Sequence, residues 1–252
     1  MLDELSYEQI YLIIFSLLLI LISYTYSRYN YIYVVSHVTK DSFILTNNMD
    51  KRWSTDFTNR LNTHETKVNT LLNELILKIP DNSCVIDAGV HVGDTLTPLS
   101  YTAIKNNKDI TIYGIDPDKT KIYFINDICD LNNLTNVKTI IGGLSNKQGN
   151  GSLKILDHIP HAGAWVVDDK GNDFNIYTID QLFKNNKVSL IHLDVEGYEY
   201  RSLLGATETL RKYKPNLVIE ILHGNDKDNI IPFLKELGYT WRKIDETNYY
   251  FE

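Results

Sequence analysis

The chain has 252 residues, with 25 Lys and Arg against 32 Asp and Glu, a net charge of −7. A single doubly wound domain needs roughly 170 residues, so this length implies one enzyme-sized domain plus an appendage. The acidic balance argues against nucleic acid as a partner, and two cysteines, Cys84 and Cys129, are too few for a secreted disulfide framework.

The surplus lies at the front. No charged residue falls between Glu8 and Arg28, and eleven of the thirteen residues from Ile10 to Ile22 are Ile, Leu or Phe. As a helix, those roughly 19 residues would reach about 28 Å, close to a bilayer's hydrocarbon thickness. Tyr7, Tyr11, Tyr24 and Tyr26 sit near the ends, where interfacial aromatics belong. The reading is a single-pass membrane anchor within residues 1–30, contacting the membrane through residues 7–26. A cleaved signal peptide is the rival, but Asp3, Glu4 and Glu8 replace its basic leading region and no small-x-small site follows. Arg28, Lys40, Lys51 and Arg52 follow the span, which by the positive-inside rule leaves the C-terminal domain in the cytosol. Two possible glycosylation acceptors, Asn133 and Asn150, point the other way.

Residues 31–80 read as a stem. Tyr31 to Val35 and Phe43 to Leu45 have strand character, and Trp53, Phe57, Leu61, Val68, Leu72, Leu75 and Ile79 mark an amphipathic helical region ending at Pro80. It reads as a helix on the sheet edge or as a substrate lid.

From residue 81 the pattern is strand, glycine turn, helix, strand. The apolar run Cys84 to Ala88 leads into D-A-G-V-H-V-G-D, with Asp87, Gly89, His91 and Gly93, then helix-compatible sequence to about Ile104. Ile110 to Ile115 forms the next strand, ending on Asp116, Pro117 and Asp118. An acid at the tip of the second strand is placed to accept the hydroxyl hydrogens of a ribose. The turn lacks the G-x-G-x-x-G spacing of a dinucleotide fingerprint, so a nicotinamide enzyme is disfavoured and S-adenosylmethionine, with a ribose and no phosphate, fits better. His91 reads either as a contact to cofactor or acceptor or as an exposed loop residue.

Val137 to Ile141 makes a third strand, and a long interval follows. It holds strand-like Ser152 to Leu156, the loop H-I-P-H-A-G-A-W and strand-like Asn175 to Ile179; His158, His161 and Trp165 are candidate acceptor contacts. Val188 to Leu193 is apolar and short, as for a strand buried on both faces, and ends on Asp194, Glu196 and Gly197. His192, inside it, reads as a core histidine or a proton shuttle. One helix is expected up to Pro215, with Glu196 and Glu199 near its positive end, and the next strand, Leu217 to Leu222, carries Glu220 near its C-terminal edge. Two neighbouring parallel strands would aim acids into one crevice, where α/β enzymes keep their chemistry. Asp245, Asn248 and Tyr249 to Phe251 look like the closing hairpin, a structural role.

These segments resemble the FkbM-type methyltransferases, a branch of the class I S-adenosylmethionine-dependent enzymes, over roughly residues 83–252. The residues carrying the likeness are Asp87, Gly89 and Gly93; Asp116 and Pro117; and Asp194, Glu196, Gly197, Glu199, Gly205, Ala206 and Glu220. His91 stands where the family usually has Asn, and His192 where it usually has Lys. The resemblance implies an α/β, Rossmann-like class I fold over residues 81–252: a mostly parallel seven-stranded sheet with a C-terminal antiparallel hairpin, here preceded by one transmembrane helix. It implies O-methylation of a hydroxyl on a carbohydrate or similar small acceptor, with S-adenosylmethionine as cofactor. The expected cofactor set is Asp87, Gly89, His91, Gly93, Asp116, Pro117 and Asp118; the expected catalytic set is Asp194, Glu196, Glu220 and His192, with no metal. Clustered carboxylates raise one another's pKa toward a value useful for accepting a proton, and the same oxygens could alternatively hold Mg²⁺. The non-enzyme alternative is a membrane-anchored binding protein with a methyltransferase fold.

Overall fold

The computed structural model describes residues 7–30, 32–39, 42–47, 51–61, 63–154, 165–167, 171–222 and 225–252. In chain order these form α1 (Tyr7–Asn30), β1 (Ile32–Thr39), β2 (Ser42–Asn47), α2 (Lys51–Arg60), α3 (Thr66–Lys78), β3 (Ser83–Ala88), α4 (Leu96–Lys105), β4 (Ile110–Asp116), α5 (Lys119–Leu131), β5 (Val137–Ile141), β6 (Gly143–Leu144), β7 (Gly149–Lys154), β8 (Trp165–Val167) and β9 (Phe174–Tyr177). Then come α6 (Ile179–Leu182), β10 (Val188–Leu193), α7 (Glu199–Leu204), α8 (Thr207–Tyr213), β11 (Asn216–Glu220), α9 (Asn225–Glu236), β12 (Trp241–Lys243) and β13 (Asn248–Phe251).

The main sheet has seven strands in the order β12-β13-β11-β10-β3-β4-β5. β11, β10, β3, β4 and β5 run parallel, and only β13 is antiparallel to its neighbours. Every residue of β3 and β10 is buried, as expected of central strands covered by helices on both faces. One face packs Ile86, Ile191, Leu193, Leu203, Leu210 and Leu234 into a core with α7, α8 and α9. The other packs Val85, Ile112 and Leu190 against α3, α4 and α5. Strand order reverses between β3 and β10, and that switch point opens the crevice of such sheets at the strands' C-terminal ends.

The expected stem is woven into this core. Val68, Leu72 and Ile76 of α3 are fully buried against the sheet, and Trp53, Phe57 and Leu61 pack on Val92, Phe124 and Ile128. The strand expectations near residues 31–45 appear as the antiparallel hairpin β1–β2. The single helix expected before Pro215 is two helices. They break at Gly205, where a Cβ would sit 2.1 Å from the Ser145 carbonyl oxygen, so backbone from the insertion passes through the space a continuous side-chain surface would need. The insertion itself forms a second sheet, β6-β9-β7-β8.

The transmembrane helix is not supported as expected. Among the described residues no helix is long and apolar enough to cross a membrane. α1 is helical over 24 residues, and its described apolar side chains, Ile13 to Phe15 and Leu17 to Ile22 among them, are exposed.

Candidate active site

The glycine turn is dictated by close approach of backbone. Asp194 donates its N–H to the Ala88 carbonyl at 3.0 Å as β10 ends beside β3. A Cβ on Gly89 would then meet the Asp194 carbonyl oxygen at 1.6 Å, and Gly89 also sits at φ +83°. Only glycine meets both demands. Gly93 repeats the backbone requirement at φ +84°.

His91 lies between them at φ 48°, a left-handed conformation that costs a non-glycine residue about 1–2 kcal/mol. Its Nε2 is 2.7 Å from Asp56 Oδ2 on α2, and its ring meets Trp53 edge-on at 6.1 Å. Burial, with the positive charges of Lys121 and Arg60, lowers its pKa to about 4 despite Asp56. Near neutral pH the imidazole is therefore uncharged, and Nε2–H donates to Asp56. The next residue but two, Asp94, is buried and takes the Arg60 Nε–H at 3.1 Å.

Asp116 ends β4 where the ribose acid was expected, buried at 6% exposure. Its Oδ2 accepts the His91 backbone N–H at 3.1 Å, and its Oδ1 accepts the Asp118 N–H at 2.8 Å. Each oxygen keeps a lone pair for one further donor, which suits two ribose hydroxyls. Burial raises its pKa, against the pull of Lys121 and the two N–H donors. Asp118 itself caps α5, accepting from the N–H and hydroxyl of Thr120.

Asp87 and His192 are register partners across β3 and β10, and His192 Nδ1 lies 2.7 Å from Asp87 Oδ1 with both side chains buried. Burial disfavours a charged imidazole here, but the Asp87 hydrogen bond and charge, with Glu65 and Asp194, overcome it and raise the pKa to about 9. The Asp87 carboxylate thus favours the protonated form of His192. Its Nε2 and Asp87 Oδ2 have no partner in the structure. The Asp87 side chain is committed to this pair within the sheet.

Asp194, just past β10, and Glu220, the last residue of β11, stand at the ends of adjacent strands close enough for their carboxyl groups to interact. Burial first, then the charge and hydrogen bond of Glu220, push Asp194 well above the usual carboxylate range. Glu220 is also raised, by burial first, with Glu65, Glu196 and Glu199 adding to it while the Asp194 hydrogen bond opposes. One proton shared between two acids is the arrangement that like charges in a poor dielectric produce. Glu196 stands in the following turn at φ 53°, half-buried. Glu199 is buried, and its Oε1 accepts from the N–H groups of Val195 and Gly197 at 2.9 and 3.2 Å, so it shapes the turn that carries Asp194 and Glu196.

Sequence reasoning missed Glu65. It stands at the N-terminus of α3 with φ 45°, spends no side-chain bond on its own helix, and accepts from Asn248 Nδ2 at 2.9 Å. Asn248 pairs with Glu220 across β11 and β13, which carries Glu65 to the carboxylate group. No local signal marks Glu65, because its neighbours come from the far end of the chain. Trp53 and Asp56 were missed as site residues for the same reason. His158 and His161 lie outside the described residues, as does the side chain of Trp165. Among the described residues no group of three or more His, Cys, Asp or Glu side chains is arranged to hold a metal ion.

Together, the glycine cradle at the switch point, the buried acid ending the second strand and the acids at the ends of β10 and β11 give the fold and site layout of the Rossmann-like methyltransferases. Residues 87–240 match the family model of the methyltransferase FkbM domain, and the chain belongs to that family. S-adenosylmethionine is accordingly its cofactor. Among solved structures, methyltransferase FkbM from Methylobacillus flagellatus KT is 15% identical with a TM-score of 0.50; the match covers 79% of this chain and 60% of that one. A putative caffeoyl-CoA O-methyltransferase from Staphylococcus aureus is 11% identical with a TM-score of 0.48, over 81% of this chain and 91% of that one. The chain thus spans less than two thirds of the first of these, and the likeness concerns fold. No curated protein sequence matches the chain.

Proposed function

We propose that the chain transfers the methyl group of S-adenosylmethionine to a hydroxyl of a carbohydrate or similar small acceptor. The observation that carries this reading is the placement of Asp194 and Glu220 together at the C-terminal ends of adjacent parallel strands, beside the glycine turn. When bound, the cofactor supplies a methyl group made electrophilic by its sulfonium. Asp116 holds the ribose hydroxyls and Gly89 lets the backbone approach closely. Asp194, Glu196 and Glu220 orient the acceptor hydroxyl, and the pair takes its proton.

Holding two reactants at near-attack distance contributes about 7–11 kcal/mol, against roughly 3–5 kcal/mol for a general base. Positioning is therefore the larger share, and the base sets the remainder. Glu65 enlarges the acidic wall, and its oxygens suit the donor hydroxyls of a polyol.

The same proposal seats the chain on a membrane through residues 7–26, with the enzyme domain cytosolic. Its support is the uncharged sequence between Glu8 and Arg28, the exposed apolar side chains of α1, and the basic residues that follow. A screen with methyl-labelled S-adenosylmethionine over glycans, sugars and lipids tests the reaction, with Asp194→Asn as control. Label on a hydroxyl, lost in the variant, is expected. A chain that binds cofactor yet methylates nothing would instead be a binding protein on a methyltransferase fold.

A further inference from the structure

Among the described residues, α2 meets the glycine turn at His91, Val92 and Asp94, and its contact with His91 leads on to Asp116. Trp53 and Asp56 grip the His91 ring, edge-on at 6.1 Å and by a 2.7 Å hydrogen bond. His91 is held at φ 48°, and its backbone N–H points to Asp116 Oδ2 at 3.1 Å. A histidine prefers the right-handed region, so the contacts around the turn hold it there: the Gly93 N–H on the Val90 carbonyl at 2.7 Å from within, and the grip of α2 from outside. α2 lies wholly before residues 87–240, the stretch that matches the family model.

We propose that Asp56 is a positioning residue for the cofactor: by fixing the His91 ring it keeps the His91 N–H on Asp116 and so aims that carboxylate at the ribose hydroxyls of S-adenosylmethionine. Trp53 supplies the wall against which the ring is pressed. Without Asp56 the His91 peptide relaxes toward the right-handed region, its N–H leaves Asp116, and the carboxylate loses one of the two backbone donors that orient it. This rests on the reading that Asp116 holds the ribose.

The test is titration calorimetry of the full chain with S-adenosylmethionine. Asp56→Ala is expected to weaken binding about five- to tenfold, a relaxed turn being of that size. Asp56→Asn, which keeps an acceptor for the ring N–H, is expected to bind as the parent does. The decisive arm is His91→Asn, since Asn tolerates the left-handed region by itself. Whatever affinity that variant has, adding Asp56→Ala to it should cost nothing further. A merely structural role for Asp56 would weaken binding equally in both backgrounds, and that result overturns the proposal. The same background carries the test if Asp56→Ala alone proves unstable by thermal melting. Asp116→Ala separates the layers: strong loss there with an indifferent Asp56→Ala defeats the positioning role, whereas normal binding by Asp116→Ala defeats the ribose reading beneath it.

Discussion

Glu65, at the start of α3, accepts a hydrogen bond from Asn248 of the C-terminal strand across 2.9 Å, although 183 residues separate them. Asn248 in turn sits opposite Glu220 in the sheet, so a residue from the amphipathic N-terminal region bears on the acid pair. Its charge contributes to raising Glu220, Asp194 and His192. Glu65→Gln keeps the acceptor for Asn248 and removes only the charge. The expected result is a downward shift of His192 from about 9, followed by imidazole NMR, and an acid limb of the pH–rate profile displaced to lower pH. Unchanged titrations would place Glu65 outside the site's field.

The Asp87–His192 pair supplies a second expectation. Removing one partner of a buried ion pair leaves the other uncompensated, at a cost of about 3–5 kcal/mol. Asp87→Asn should lower the melting temperature accordingly, and the His192 pKa should fall well below 9. The sign follows from a raised histidine pKa: the pair's contribution is complete below the ordinary value of 6.5 and fades as pH rises through about 9. A stability curve flat between pH 7 and 10 would contradict it.

At the reacting end, Asp194→Asn and Glu196→Gln should retain near-normal affinity for S-adenosylmethionine while losing turnover by about 10² to 10⁴-fold. Chelator should leave the rate untouched. Activity removed by EDTA and restored by Mg²⁺ would recast these acids as metal ligands, and full activity in both variants would remove them from proton transfer.

Glu199 offers a test on stability alone. Burial, against the pull of its own turn's N–H groups, raises its pKa from 4.5 to about 7. Its stabilising share is therefore complete below pH 4.5 and lost as pH rises through about 7. Gln can still accept from Val195 and Gly197, so the advantage of Glu199→Gln over the parent should be small at pH 5 and grow by pH 8, to about 3 kcal/mol at most. Denaturant melts at the two pH values measure the difference; equal effects at both would refute the assignment.

For the N-terminal region, the proposed membrane seat predicts resistance to alkaline carbonate extraction, and digestion of the enzyme domain when protease is added on the cytosolic side of sealed vesicles. Release by carbonate would end the anchor proposal, and protection of the domain would reverse its orientation.

Period and punctuation were enough to place the strands β3, β4, β5, β10 and β11 within a residue or two, because a strand buried on both faces must be a short apolar run. The same local logic exposed Gly89, Asp116, Asp194 and Glu220, each standing where an apolar run stops. What required the folded chain was every relationship between segments distant in sequence. Position 205 takes glycine because Ser145 backbone occupies the space a Cβ would need; Asp87 and His192 pair because two strands align in register. Trp53, Asp56 and Glu65 join the site because α2 and the start of α3 fold back over it. Local sequence encodes which residues can form an element and where it ends, whereas a side chain's partners, and so its charge state, depend on which surfaces burial brings together.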